Sequence, residues 1–138
     1  MALGVMETLL QTYTASIASL GAIGSVMLIQ LIIADATGIF RKHVPGTKIT
    51  DDHNDLLFRV SRTVTNTNES IAIFVCVLLF CAFSGASPEF TAYAAWSYVS
   101  FRVAYATFYY LNLQTLRSIS FGFSALALLA LLLVGIFT

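Results

Sequence analysis

The chain has 138 residues, 58% hydrophobic and 10% charged, where an ordinary soluble domain carries roughly a quarter charged residues. That composition argues against a water-soluble globule. Seven basic and seven acidic side chains cancel, leaving no cationic excess for nucleic acid, and the length suits a single domain, 1–138.

Along the chain, an uncharged run from Thr8 to Ala34 is the first long enough to cross a bilayer, which takes roughly 20 helical residues. It predicts a helix over about Tyr13 to Phe40. The run is too long for the apolar region of a cleaved leader, so it is expected to remain as the first span. Pro45-Gly46 mark a polar loop that holds Arg41, Lys42, His43, Lys48, Asp51, Asp52, His53 and Asp55. The two histidines are ten residues apart there, and the reading is a solvated loop rather than a metal site.

A second helix is predicted from Leu56 to Phe83, including the uncharged stretch Ser70 to Pro88. Its Cys76 and Cys81 are five residues apart, on different helix faces, and read as buried, unpaired thiols. Ser84-Gly85-Ala86-Ser87-Pro88 is a turn. A third helix, about Phe90 to Leu113, is interrupted by Arg102 and rich in Tyr, Phe and Ala, and a fourth runs from about Arg117 to Phe137. The expectation is an all-α, integral-membrane four-helix bundle with four transmembrane helices. Small residues on helix 1 (Gly21, Gly24, Ser25) and helix 3 (Ala94, Ala95, Ala104) suggest close backbone approaches. The Leu-rich fourth helix suggests a lipid-facing wall. The basic residues of the first loop, with Arg117, lie on one side, and Glu7 and Glu89 on the other. Both termini are therefore expected to face away from the cytoplasm, in an inner membrane if bacterial or the endoplasmic reticulum if eukaryotic.

Four charges fall inside or at the mouths of these helices: Arg59, Arg62, Glu69 and Arg102. At about 2.5 to 3.5 kcal/mol each for a central position, isolated charges would be costly, so they need partners. Arg59, Arg62, Asn66 and Glu69 are spaced 3, 4 and 3, one stripe of helix 2. Arg102, Tyr105, Tyr109 and Asn112 repeat that spacing on helix 3. Such pairs can simply fix helix packing. Three Arg against one Glu, however, leave two positive charges in a low-dielectric setting, which an anionic ligand from the basic side would balance. Asp35 has Arg41 and Arg102 as alternative partners.

The segment Arg59-Val60-Ser61-Arg62-Thr63-Val64-Thr65-Asn66-Thr67-Asn68-Glu69 resembles the R-x-x-R-x-x-x-N-x-x-E signature of the MAPEG family, the membrane-associated proteins in eicosanoid and glutathione metabolism. Arg102-Val103-Ala104-Tyr105-Ala106-Thr107-Phe108-Tyr109, Leu113-Gln114-Thr115-Leu116-Arg117-Ser118 and, more weakly, Thr37-Gly38-Ile39-Phe40-Arg41 extend the resemblance over most of the chain. It departs from many members at Thr63 and Val64, where Ala-His or Ala-Gln stand, and from some at Tyr105, where His stands.

The resemblance implies a homotrimer in membrane lipid, with glutathione as cosubstrate between neighbouring subunits and no metal. A hydrophobic small molecule would be the second substrate. Arg62, Asn66 and Glu69 would hold the glutathione backbone, Tyr105 and Tyr109 would supply hydroxyls, and Arg41 would contact a carboxylate. Arg117 would lie beside the sulfur, with Ser118 or Tyr109 as hydroxyl donor, and Arg59 and Arg102 would form a supporting ion network. Paired Arg hydrogen bonds suit carboxylates, and a Glu suits an ammonium. A free thiol is only a few per cent thiolate at neutral pH, and lowering its pKa by about two units takes roughly 2.7 kcal/mol of selective stabilisation. The implied activity is that of a glutathione transferase, with a peroxidase reaction on lipid hydroperoxides open to the same thiolate. The alternative is a non-enzymatic membrane protein that holds a lipid headgroup or another anion in the same cationic pocket. A proton-coupled exporter fits less well, because Glu69 has Arg and Asn on its own stripe to hold it ionised.

Overall fold

The computed structural model describes residues 2–138, which contain five helices and no strand. They are α1 (Ala2–Thr12), α2 (Thr14–Phe40), α3 (Leu56–Ser84), α4 (Pro88–Tyr110) and α5 (Gln114–Ile136). The last four match the predicted helices to within a few residues at each end. The extra element, α1, meets α2 at Tyr13, whose φ of −103° and ψ of 22° leave the helical region. Helical hydrogen bonds nevertheless span the break: Tyr13 N donates to Leu9 O at 3.0 Å and Ile17 N to Tyr13 O at 2.8 Å.

Helix ends follow local chemistry. α2, α3 and α4 each stop on one residue in the left-handed region, Lys42 (φ 53°), Gly85 (φ 75°) and Asn112 (φ 59°). In each case the next amide reaches back to a carbonyl five residues earlier: His43 N to Gly38 O, Ala86 N to Cys81 O, Leu113 N to Phe108 O. Asn112 is thus a cap beyond α4 and not the last member of a helical stripe. α3 starts at Asp55, whose carboxylate accepts from Leu57 N at 3.1 Å.

Contacts between helices run in up-down-up-down order. Asn66 meets Arg102, while Ser70 Oγ lies 2.7 Å from Tyr98 Oη and Phe74 stacks on Tyr98 at 4.5 Å, so α3 and α4 are antiparallel. Phe101 on Phe123 and Tyr109 beside Arg117 make α4 and α5 antiparallel. The Tyr13 hydroxyl ties the start of α2 to the far end of α3 by donating to Ala86 O. All loops rich in basic residues therefore gather at one end, with Glu7 and Glu89 toward the other.

The glycine packed tightly within the chain is on α5, where it meets side chains of α3, and not on α2. A Cβ at Gly135 would fall 2.6 Å from the Phe80 ring, whereas Gly21 and Gly24 have nothing within 4 Å. The inward face of α5 is Ser120, Ser124, Ala127, Leu131 and Gly135; its Leu126, Leu129 and Leu133 are exposed, as a lipid-facing wall requires. Cys81 is buried, with Sγ 3.1 Å from Leu131 O, but Cys76 is exposed on the outer side of α3, contrary to the sequence reading.

Three helices, α2, α3 and α5, are long and apolar enough to cross a membrane. α4 has the length, at 23 residues, but carries Glu89, Arg102 and five Tyr. Arg102 is only 2% exposed. Its Nη1 donates to Asn66 Oδ1, and its guanidinium carbon lies 5.5, 5.6 and 5.5 Å from the ring centres of Tyr98, Tyr105 and Phe121. The cation is thus held by one amide and three aromatic faces, and not by the ion network that the sequence suggested.

Removing the acceptor leaves a buried charge, whereas removing the charge leaves a half-buried amide that water can reach. Asn66→Ala should therefore destabilise the protein by about 1.5 to 3 kcal/mol and Arg102→Met by less. Thermal unfolding in detergent reads the order, and the reverse order would refute this account of Arg102.

Candidate functional site

Arg59 builds the entrance. It is half-buried at the start of α3, and its Nη1 donates to His53 O (2.8 Å) and Asn54 O (2.9 Å), folding the loop back over the helix mouths. Asn112, at the end of α4, reaches Asn54 Oδ1 at 3.5 Å from the other side. Arg59 is thus a loop clamp, not a member of an ion network.

Beneath this loop, α3, α4 and α5 enclose a cavity of about 440 Å³, within the range used by small-molecule sites. Arg62 and Asn66 line it from α3, Tyr105 and Tyr109 from α4, and Arg117 and Ser118 from the first turns of α5. These six site residues read from the sequence are brought together. Phe58 and Phe121 supply its apolar floor. No acidic side chain lines it, and Arg102 stands directly behind Tyr105 and Phe121. The N-terminus of α5 adds the positive end of its helix dipole beside Arg117. The charged side chains that line the cavity, Arg62 and Arg117, are both cations and favour an anion.

Two geometric details bear on chemistry. The Arg117 guanidinium sits over the Tyr109 ring, 4.6 Å from its centre, and Tyr105 meets Tyr109 edge-on at 5.6 Å, which fixes both hydroxyl-bearing rings. Ser118 Oγ donates to Gln114 O at 3.0 Å, so its proton is turned toward the helix and a rotation would be needed to offer it to a ligand.

Arg41 and Glu69 lie elsewhere. Arg41 is exposed and pairs with Asp55 at 3.7 Å, the one salt bridge among the described residues. Asp35 therefore takes neither Arg41 nor Arg102; it faces a separate groove with His43 and Ser61. Glu69 is exposed near the middle of α3, on an outer face that continues through Ile73, Cys76, Phe80 and Phe83.

The sequence reading missed His53, which it assigned to solvated loop. Its Nδ1 lies 3.3 Å from Tyr109 Oη, and its ring packs edge-on against Phe58 at 5.0 Å. The only local signal was its place two residues before the Asp55 cap, which holds it at the mouth of α3. Among the described residues no group of three His, Cys, Asp or Glu is placed to hold a metal ion.

A search among curated proteins gives no significant match. Residues 12–137, nearly the whole chain, match the model of the MAPEG family. Together with the Arg, Asn and Tyr side chains gathered at the basic end of an apolar helical bundle, that match gives the assignment: the chain belongs to the MAPEG family, a membrane family that generally uses glutathione and includes glutathione transferases and related proteins.

Proposed function

We propose that this protein is an integral-membrane glutathione transferase with four transmembrane helices, α4 being the fourth, and both termini away from the cytoplasm. The observation that carries the reading is the single cavity that joins Arg62, Asn66, Tyr105, Tyr109, Arg117 and Ser118 with no acidic lining residue. Glutathione bears two carboxylates, one ammonium and a thiol. Arg62 pairs with a carboxylate in the two-pronged manner of guanidinium, Asn66 bonds its amide backbone, and the tyrosine hydroxyls complete its hydrogen bonds. Arg117 lies beside the sulfur and stabilises the thiolate, the nucleophilic form. The thiolate then attacks an electrophilic carbon of a hydrophobic molecule arriving from the lipid, or the terminal oxygen of a lipid hydroperoxide. That α4 spans is supported by its length and by its position against α2, α3 and α5.

A homotrimer is supported by Glu69. A carboxylate facing lipid at mid-helix costs about 2.5 to 3.5 kcal/mol, and covering the α3 outer face with neighbouring copies removes that cost. The same packing lets a neighbour's Glu69 or Arg41 approach the cavity, where they would bind the glutathione ammonium and a carboxylate.

With a chlorinated aromatic and glutathione, the purified protein should form the conjugate. Arg117→Ala should lower kcat near neutral pH by about 25-fold, the loss expected when a thiol pKa returns upward by about two units to its free value. Its glutathione affinity should change far less. Arg62→Ala should instead weaken glutathione binding in calorimetry. An intact protein that binds no glutathione would sink the proposal; binding without turnover would favour the alternative, a non-enzymatic protein that holds a lipid headgroup or another anion.

Cys76 reports on the assembly, because it shares the outer face with Glu69. A trimeric mass in detergent together with Cys76-dependent crosslinking between chains is the expected result, and a monomeric mass contradicts it.

A further inference from the structure

Activation of a thiol needs a place for its proton, and the proposed machinery lacks one. Arg62 and Arg117 keep their protons at any physiological pH, Asn66 and Ser118 do not titrate, and tyrosine ordinarily titrates near pH 10. Histidine is the side chain type whose charge normally changes between pH 5 and 8. Of the residues lining the cavity, one is a histidine, and it is in contact with the tyrosine that Arg117 covers.

We propose that His53 is the proton acceptor for glutathione ionisation, acting through Tyr109. This inference rests on the glutathione reading above. The geometry holds His53 in place from three directions. Arg59 grips its carbonyl, Phe58 packs against its ring, and its Nδ1 stands 3.3 Å from Tyr109 Oη with the two rings 5.9 Å apart. That hydrogen bond is long, as catalytic contacts often are before a ligand is bound. Around the cavity, the charged and titratable groups are Arg62 from α3, Tyr105 and Tyr109 from α4, and Arg117 from α5. On its own loop, Asp52 Oδ1 accepts from Asn54 N, and Asp55 is engaged with Leu57 N and Arg41. With its proton on Nε2, the imidazole accepts from Tyr109 through Nδ1.

The transfer balances as follows. The glutathione thiol gives its proton to Tyr109 Oη while the Tyr109 hydroxyl proton passes to His53 Nδ1, leaving a thiolate beside Arg117 and an imidazolium at the cavity mouth. With an aryl halide, the sulfur–carbon bond forms, halide leaves with its bonding pair, and the imidazolium returns its proton to water. With a hydroperoxide, the thiolate takes the terminal oxygen as the O–O bond breaks, and the departing alkoxide collects the same proton through Tyr109 to become an alcohol. The resulting sulfenic acid is reduced by a second thiol, with release of disulfide and water. His53 does not touch the reacting atoms; it positions and relays the proton.

The test is the rate of thiolate formation, followed by ultraviolet absorbance after rapid mixing of glutathione with the full-length protein in detergent. In the wild type the rate should rise with pH along one limb, since the acceptor must be neutral. His53→Gln should slow it about 100-fold at neutral pH, at the lower end of general-base contributions, and remove that limb, while glutathione affinity in calorimetry changes less than threefold. Tyr109→Phe should give the same flattened profile, and the double variant should be no slower than either. Added imidazole should restore the rate of His53→Gly in proportion to its concentration. If His53→Gln binds glutathione and keeps the wild-type rate and pH profile, the relay is overturned and the transferase reading stands. If the wild type binds no glutathione, both fall together.

Discussion

The burial of Arg102 is the constraint around which the polar half of the molecule is arranged. A guanidinium 2% exposed inside an apolar bundle requires hydrogen-bond acceptors and aromatic faces around it. Asn66 from α3, Tyr98 and Tyr105 from α4 and Phe121 from α5 supply them, and so three helices are held in one register at that level. Asn66, Tyr105 and Phe121 then present other surfaces to the cavity. Three of the four residues that make the cation tolerable also wall the site, so the stability of the bundle and the shape of the pocket are coupled.

The polar end and the apolar end use different means. Toward the Glu89 end, helices approach through small residues and stacked rings: Gly135 against Phe80, Ala95 and Phe74 in the core, Tyr98 on Phe74. The basic end is held by hydrogen bonds from side chains to loop carbonyls, above all from Arg59. Such contacts fix a loop that contributes little apolar burial, and they let it carry a functional side chain over a cavity formed by the helices. Tyr109 links the two layers. One face of its ring stacks under Arg117, and its hydroxyl meets the loop at His53.

Charge distribution gives the pocket its character. The chain is neutral as a whole, with seven basic and seven acidic residues. None of its acidic groups lines the cavity: Asp55 caps α3 and pairs with Arg41, Asp35 on α2 faces a separate groove, and Glu69 is exposed on α3. What is left around the cavity is two lining guanidinium groups, a third behind its aromatic wall, and the start of α5, which together favour an anion.

Much of this was legible in the residues themselves. Bilayer-length apolar runs and the Ser84 to Pro88 turn give the four long helices to within about three residues, though not α1, because helix length against membrane thickness is a one-dimensional matter. The 3, 4, 3 spacing places Arg62 and Asn66 on one face of α3 and Tyr105 and Tyr109 on one face of α4, because helical periodicity depends on sequence alone. The tertiary structure decided which face meets which. It left Glu69 exposed on α3 while Asn66, three residues earlier, met Arg102, and it set Arg59 to hold a loop instead of an acid. It brought His53 onto Tyr109 across 56 residues of chain. Those outcomes depend on the rotation of each helix about its axis and on how a loop folds over helix ends. Packing in three dimensions fixes both, and no local pattern encodes either.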